Sequence, residues 1–124
     1  MTIALWCVLA TGLLPYVAAA IAKVGKQGFD NYDPRAWLAQ QGGFRARANA
    51  AQLNTFETFP LFAAAVIIAH MLAGPQTVVS VLALVVVFAR VLYVICYITN
   101  SATLRSVAFA VGFFAVIGIF VAAA

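Results

Sequence analysis

The segment TVVSVLALVVVFARVLYVICYI, residues 77–98, decides the fold class of this protein. A helix needs about 20 mostly apolar residues to cross a bilayer. This segment is long enough, and its one charged side chain is Arg90. It is therefore predicted to be a transmembrane helix.

Three further apolar runs flank this segment, and they are predicted to span residues 2–22, 48–73 and 104–123. No Lys or Arg precedes the first run, and it exceeds the apolar region of a signal peptide, so we expect it to be retained. The sequence thus predicts an all-α integral membrane protein with one domain, residues 1–124, built as a four-transmembrane-helix bundle.

The composition supports this prediction. Of the 124 residues, 66% are apolar and 8% are charged, and the mean hydropathy is +1.07. A soluble domain carries roughly 45–50% apolar and about 25% charged residues, and a domain this small cannot hide the excess in a core. A soluble enzyme, a disordered chain and a nucleic-acid-binding protein are excluded.

The basic residues predict the orientation of the chain. The long connection 23–47 and the short connection 99–103 lie on one side of a four-span bundle, and cytoplasmic loops carry an excess of Lys and Arg. We therefore expect both connections to be cytoplasmic and both termini to be outside; in a bacterium this would be the inner membrane. The basic residues on that side are Lys23, Lys26, Arg35, Arg45, Arg47 and Arg105.

Two charged residues lie within predicted spans. Glu57 is about nine residues into the second span and Arg90 about eight residues into the third, so both lie roughly 12–14 Å deep. Adjacent antiparallel helices bring them to one level, and pairing reduces the cost of burying each charge. We predict that they pair, either in a functional site or only to set the helix register.

Other polar residues follow the same helix faces. Helical spacing places them in a polar crevice open to the cytoplasm. Asn54 and Gln52 could instead hold helices together, the tyrosines could lie at the membrane interface, and Arg105 could be a topology anchor. No metal-ligand spacing is present, so no metal site is predicted. The candidates are Arg47, Gln52, Asn54, Glu57, Arg90, Tyr93, Tyr97 and Arg105.

Two blocks of sequence resemble the MAPEG superfamily, the membrane-associated proteins in eicosanoid and glutathione metabolism. The first is RARANAAQLNTFETFPLF, residues 45–62, and the second is FARVLY, residues 88–93, which continues to Tyr97 and to Leu104–Arg105–Ser106. The resemblance extends over essentially the whole chain in the number of spans, the loop pattern and the length.

The resemblance implies a homotrimer that holds glutathione at subunit interfaces near the cytoplasmic face. Arg105 would be the catalytic residue that keeps the sulfur as a thiolate, and a lipophilic electrophile or lipid hydroperoxide would arrive from the membrane lipid. The implied function is a glutathione-dependent transferase or peroxidase. The residues implied to bind glutathione are Arg47, Gln52, Asn54, Glu57, Arg90, Tyr93 and Tyr97.

Two other functions are weighed against this one. Ala50 replaces an arginine that the family carries one turn before the asparagine, which motivates a non-catalytic scaffold, or an accessory subunit of a larger membrane complex that has lost thiol binding. A small multidrug exporter also has four spans, but its coupling carboxylate lies in the first helix, and residues 2–22 hold no Asp or Glu.

Overall fold

The computed structural model describes residues 1–25 and 28–124, and within these ranges the secondary structure is helical. The four long helices have the length and composition to cross a membrane, which confirms the predicted fold class. The helices are α1 (Ile3–Lys23), α2 (Pro34–Ala39), α3 (Gly43–Ala73), α4 (Thr77–Ile98) and α5 (Ala102–Ala123).

The long connection is more ordered than predicted, and α3 begins earlier than residue 48. Helix α2 lies inside this connection, where the Asp33 side chain accepts a hydrogen bond from the Ala36 amide at 3.1 Å and Pro34 takes the first helical turn. Helix α3 begins at Gly43, because Ala and Arg favour a helix whether or not lipid surrounds it. Lys26 lies outside the described residues.

Helices α3 and α4 form the centre of the bundle. Each of them packs against the other, against α1 and against α5. Small residues such as Ala65 and Ala83 are fully buried in the core beside Phe62 and Ile119, so the helix backbones approach closely, as is typical of membrane bundles. The outward faces carry exposed apolar side chains such as Phe114, as a surface in contact with lipid requires.

One end of the bundle, called here the basic end, consists of the connection between α1 and α3 and the turn 99–101. Arg45 donates hydrogen bonds of 3.0 Å from Nη1 to the Val24 carbonyl and from Nη2 to the Gly25 carbonyl. These carbonyls end α1 and have no partner within the helix. Arg45 therefore ties the start of α3 to the end of α1.

The opposite end of the bundle is joined by His70. Its Nδ1 lies 2.8 Å from the Val66 carbonyl and its Nε2 lies 2.7 Å from the Thr2 hydroxyl. A carbonyl can only accept, so Nδ1 carries a hydrogen and donates to Val66. His70 therefore links the start of α1 to α3.

Candidate functional site

Arg90 is the central residue of the candidate site. Its side chain is 4% exposed, and its Nη2 donates to Asn54 Oδ1 at 2.9 Å and to Thr55 Oγ1 at 3.1 Å. Both acceptors lie on α3, so one guanidinium nitrogen joins α4 to α3. Hydrogen bonds to a charged group contribute about 1.5–3 kcal/mol, which makes this the strongest polar contact between the two helices.

The predicted ion pair between Glu57 and Arg90 is wrong. Among the residues that the structure describes, no carboxylate oxygen lies within 4.0 Å of the Arg90 guanidinium, which binds Asn54 and Thr55 instead. The two charges lie at similar depth, but the Arg90 guanidinium contacts α3 at the helical turn that precedes Glu57. Glu57 stays exposed at the surface of the protomer.

Arg90, Tyr93, Tyr97 and Arg105 form a continuous row of stacked side chains. The Arg90 guanidinium lies 4.3 Å from the Tyr93 ring centroid, and the Arg105 guanidinium lies 4.3 Å from that of Tyr97. The two tyrosine rings meet edge to face at 5.5 Å. The spacing of residues 90, 93 and 97 puts three of them on one face of α4, and the turn 99–101 brings Arg105 back against it.

The row continues into α5 through aromatic rings. Phe109 lies 6.1 Å from Tyr93 and 6.1 Å from Phe113, centroid to centroid. Such spacings lie within the range of favourable aromatic pairs. The line of aromatic rings formed by Tyr97, Tyr93, Phe109 and Phe113 therefore extends from the basic end toward the middle of the membrane span.

Arg47 and Gln52 lie apart from this row. Arg47 Nε donates to the carbonyl of Ile98 at 3.0 Å, where it satisfies a backbone acceptor at the end of α4. Gln52 Oε1 is buried without a hydrogen-bond partner. The structure thus brings Asn54, Arg90, Tyr93, Tyr97 and Arg105 together and leaves these two residues outside the group.

A cavity of about 250 Å³ lies between α3 and α5, with walls also from α1 and α4; we call it the central cavity. Its polar lining residues are Glu57, Thr58, Arg90 and Thr11, and its apolar lining includes the rings of Phe59, Phe109 and Phe113 beside aliphatic side chains.

The sequence patterns missed several residues of this region, among them Thr55, Thr11 and Phe113. Thr55 follows Asn54 directly and could have been considered as a second acceptor. Thr11 is a single hydroxyl in an otherwise apolar helix, and Phe113 is one of ten phenylalanines, so neither carries a distinguishing signal. Only the packing of α1 and α5 against the central pair places them at the cavity.

The fold and the polar row define a multi-pass membrane protein with four spanning helices and a partly polar cavity in the middle of the bundle. The chain belongs to the MAPEG family, whose model matches residues 3–124. This match covers essentially the whole bundle and confirms the resemblance seen in residues 45–62 and 88–93. No curated protein matches the chain.

Proposed function

We propose that this protein is a glutathione-dependent transferase or peroxidase that acts on lipophilic electrophiles or lipid hydroperoxides. The observation that carries the proposal is the row Arg90–Tyr93–Tyr97–Arg105, which ends in a guanidinium 4.3 Å from the Tyr97 ring. Family membership supports the same class of reaction.

Arg105 is suited to stabilise a thiolate. It has no carboxylate at ion-pair distance among the residues in the described ranges, and it is partly exposed, so its charge is available to a ligand. A free thiol has a pKa near 8.5, and a nearby guanidinium lowers that pKa. The thiolate is the nucleophile that attacks an electrophile.

The donor set also suits the polar parts of a tripeptide. Asn54 lies beside Arg90, and the tyrosine hydroxyls and Glu57 add groups that can donate or accept hydrogen bonds. The central cavity adjoins these residues and is lined by both aromatic and aliphatic side chains. A lipophilic second substrate would enter it from the membrane.

Glu57 supports a homotrimer. Its carboxylate is exposed on the protomer within a membrane-spanning helix, and a charge facing lipid is costly. A neighbouring copy would cover this surface, and glutathione would then lie between subunits.

An excess of Lys and Arg marks cytoplasmic loops, so we place the basic end in the cytoplasm.

The test is enzymatic turnover by the purified protein with glutathione and either chlorodinitrobenzene or a lipid hydroperoxide. We expect Arg105→Ala to lose most of the activity and Arg105→Lys to retain part of it, because a lysine keeps the charge but not the planar fork. Arg35→Ala is the matched control, since Arg35 is exposed on α2. Equal rates for wild type and Arg105→Ala would contradict the proposal.

A non-catalytic scaffold or accessory subunit is the second candidate function. It is favoured by the arginines of this region that serve the fold, because Arg47 binds the Ile98 carbonyl and Arg90 binds α3. A ligand that binds only the folded state raises its stability. Thermal stabilisation by glutathione would therefore argue against the scaffold, and stoichiometric co-purification of another membrane protein would support it.

A further inference from the structure

Arg90 Nε and Thr11 Oγ1 are buried polar atoms of residues that line the central cavity, and neither has a hydrogen-bond partner among the residues that the structure describes. Arg90 is 4% exposed and Thr11 is 3% exposed, and both residues line the cavity. Buried polar groups in native proteins nearly always have partners. A pair without partners at one cavity indicates that a ligand supplies the missing atoms.

The two atoms require acceptors. Arg90 Nε carries a hydrogen and cannot accept, and the Thr11 hydroxyl can donate. The fourth polar wall residue, Thr58, differs because its hydroxyl already donates to the Asn54 carbonyl at 3.0 Å. The ligand therefore needs two acceptor groups, one for each free donor.

The register of the helices separates the two donors along the bundle axis. Ala18, Val94 and Ala51 pack together and mark one level. Arg90 lies one turn beyond Val94 and Thr11 two turns beyond Ala18, in the same direction. At 1.5 Å per residue the Cα atoms of the two residues lie about 4–5 Å apart along the axis, so the two residues belong to different levels of the bundle and we infer a separate acceptor atom for each donor.

The walls of the cavity indicate the shape of that group. Phe59, Phe109 and Phe113 present aromatic surface, which favours stacking with a flat ring. The volume of about 250 Å³ is several times the roughly 30 Å³ that one water occupies in the liquid. A flat ring with an acceptor at each end fits both the walls and the donors.

We propose that the central cavity binds the ring of a membrane-soluble 1,4-quinone, with one carbonyl oxygen accepting from Arg90 Nε and the other from the Thr11 hydroxyl. The central cavity is also where we place the lipophilic substrate of the proposed reaction, but this binding does not rest on that reaction and does not require glutathione.

The test compares duroquinone with durene, which has the same methylated ring without the carbonyl oxygens. Purified protein in lipid nanodiscs is titrated with each compound in the absence of glutathione, and the melting temperature is followed because binding to the folded state raises it. We expect saturable stabilisation by duroquinone and none by durene. No stabilisation by duroquinone, or equal stabilisation by both, would overturn the proposal.

The Thr11→Val variant tests the hydrogen bond at constant side-chain shape. Loss of one neutral hydrogen bond should weaken the apparent affinity for duroquinone roughly three- to tenfold. Thr58→Val is the matched control, because it removes a hydroxyl from the same cavity that already has its acceptor. Equal affinities of the two variants would also overturn the proposal, and the absence of glutathione keeps this result separate from any failure of the transferase function.

Discussion

The side chains of Arg90 and Asn54 join the two central helices through a hydrogen bond of 2.9 Å from Nη2 to Oδ1. The buried guanidinium is held by neutral oxygens of Asn54 and Thr55 rather than by a carboxylate. Because the charge of Glu57 is not consumed in an internal ion pair, it remains available at the protomer surface for a ligand or a neighbouring copy.

We expect Asn54→Leu to lower the free energy of unfolding by about 1.5–3 kcal/mol, since it removes a hydrogen bond to a buried charge. Asn49→Leu is the matched control on the same helix, because the Asn49 side chain forms no hydrogen bond with another residue in the described ranges, and it should change stability by less than about 0.5 kcal/mol. Unfolding of both variants in detergent micelles by a denaturing detergent checks this. Similar losses in the two variants would show that the Arg90 contact is not the cause.

Arg45→Lys should destabilise the basic end by about 1 kcal/mol, because a lysine cannot bind the Val24 and Gly25 carbonyls together with a planar fork. Arg35→Lys has the same change of side chain at an exposed position of α2 and should have no measurable effect. Amide hydrogen exchange of the last turn of α1 is the measurement. Faster exchange in Arg45→Lys alone is the expected result, and unchanged exchange would contradict it.

Two helix glycines should respond in opposite ways to replacement by alanine. A Cβ on Gly112 would lie 3.4 Å from Ala89 Cβ, an ordinary contact, so Gly112→Ala should gain about 0.5–1 kcal/mol of stability from helix propensity. A Cβ on Gly12 would lie 3.1 Å from Phe59 Cζ, so the Phe59 ring must move in Gly12→Ala. The cost of this movement should exceed the gain in helix propensity and lower the stability by about 1 kcal/mol. Thermal unfolding of the two variants side by side measures the difference; a stabilised Gly12→Ala would show that Phe59 yields freely.

The pH dependence of conjugation should change when Arg105 is removed. If Arg105 activates the thiol as we propose, its guanidinium lowers the pKa of the bound thiol below the free value near 8.5, and the rate should rise with pH through a midpoint below that value. In Arg105→Ala the midpoint should move up by about one pH unit, equivalent to about 1.4 kcal/mol, while Arg105→Lys should move it less. An unchanged midpoint in rate profiles of both variants would exclude Arg105 as the group that stabilises the thiolate.

Prediction from the sequence succeeded where one helix face was sufficient. Tyr93 and Tyr97 are one turn apart, so helical geometry alone brings their rings together. The pairing of Glu57 with Arg90 failed because the rise per residue gives depth but not rotation about the helix axis or the reach of the guanidinium. Arg90 binds Asn54 and Thr55, and Glu57 lies only two residues further along α3, so a small rotation of the helix decides which side chain the guanidinium meets.

The site could be predicted only in part for the same reason. Asn54, Arg90 and the tyrosines are polar residues within apolar runs. Because polar side chains are costly to place in lipid, their presence in a span indicates a site. Thr11 and Phe113 have no such signal, because a hydroxyl or a phenyl ring is tolerated anywhere in a span. Their role depends on which helices pack beside them.

The amino-acid sequence by itself determined that this chain crosses the membrane as four helices, because hydrocarbon accepts long apolar runs with internally satisfied backbones and little else. The tertiary structure alone decided that Arg90 is held by neutral oxygens and that Thr11 faces the same cavity. Those relationships depend on the rotation and close approach of separate helices, which small residues permit but no local pattern encodes.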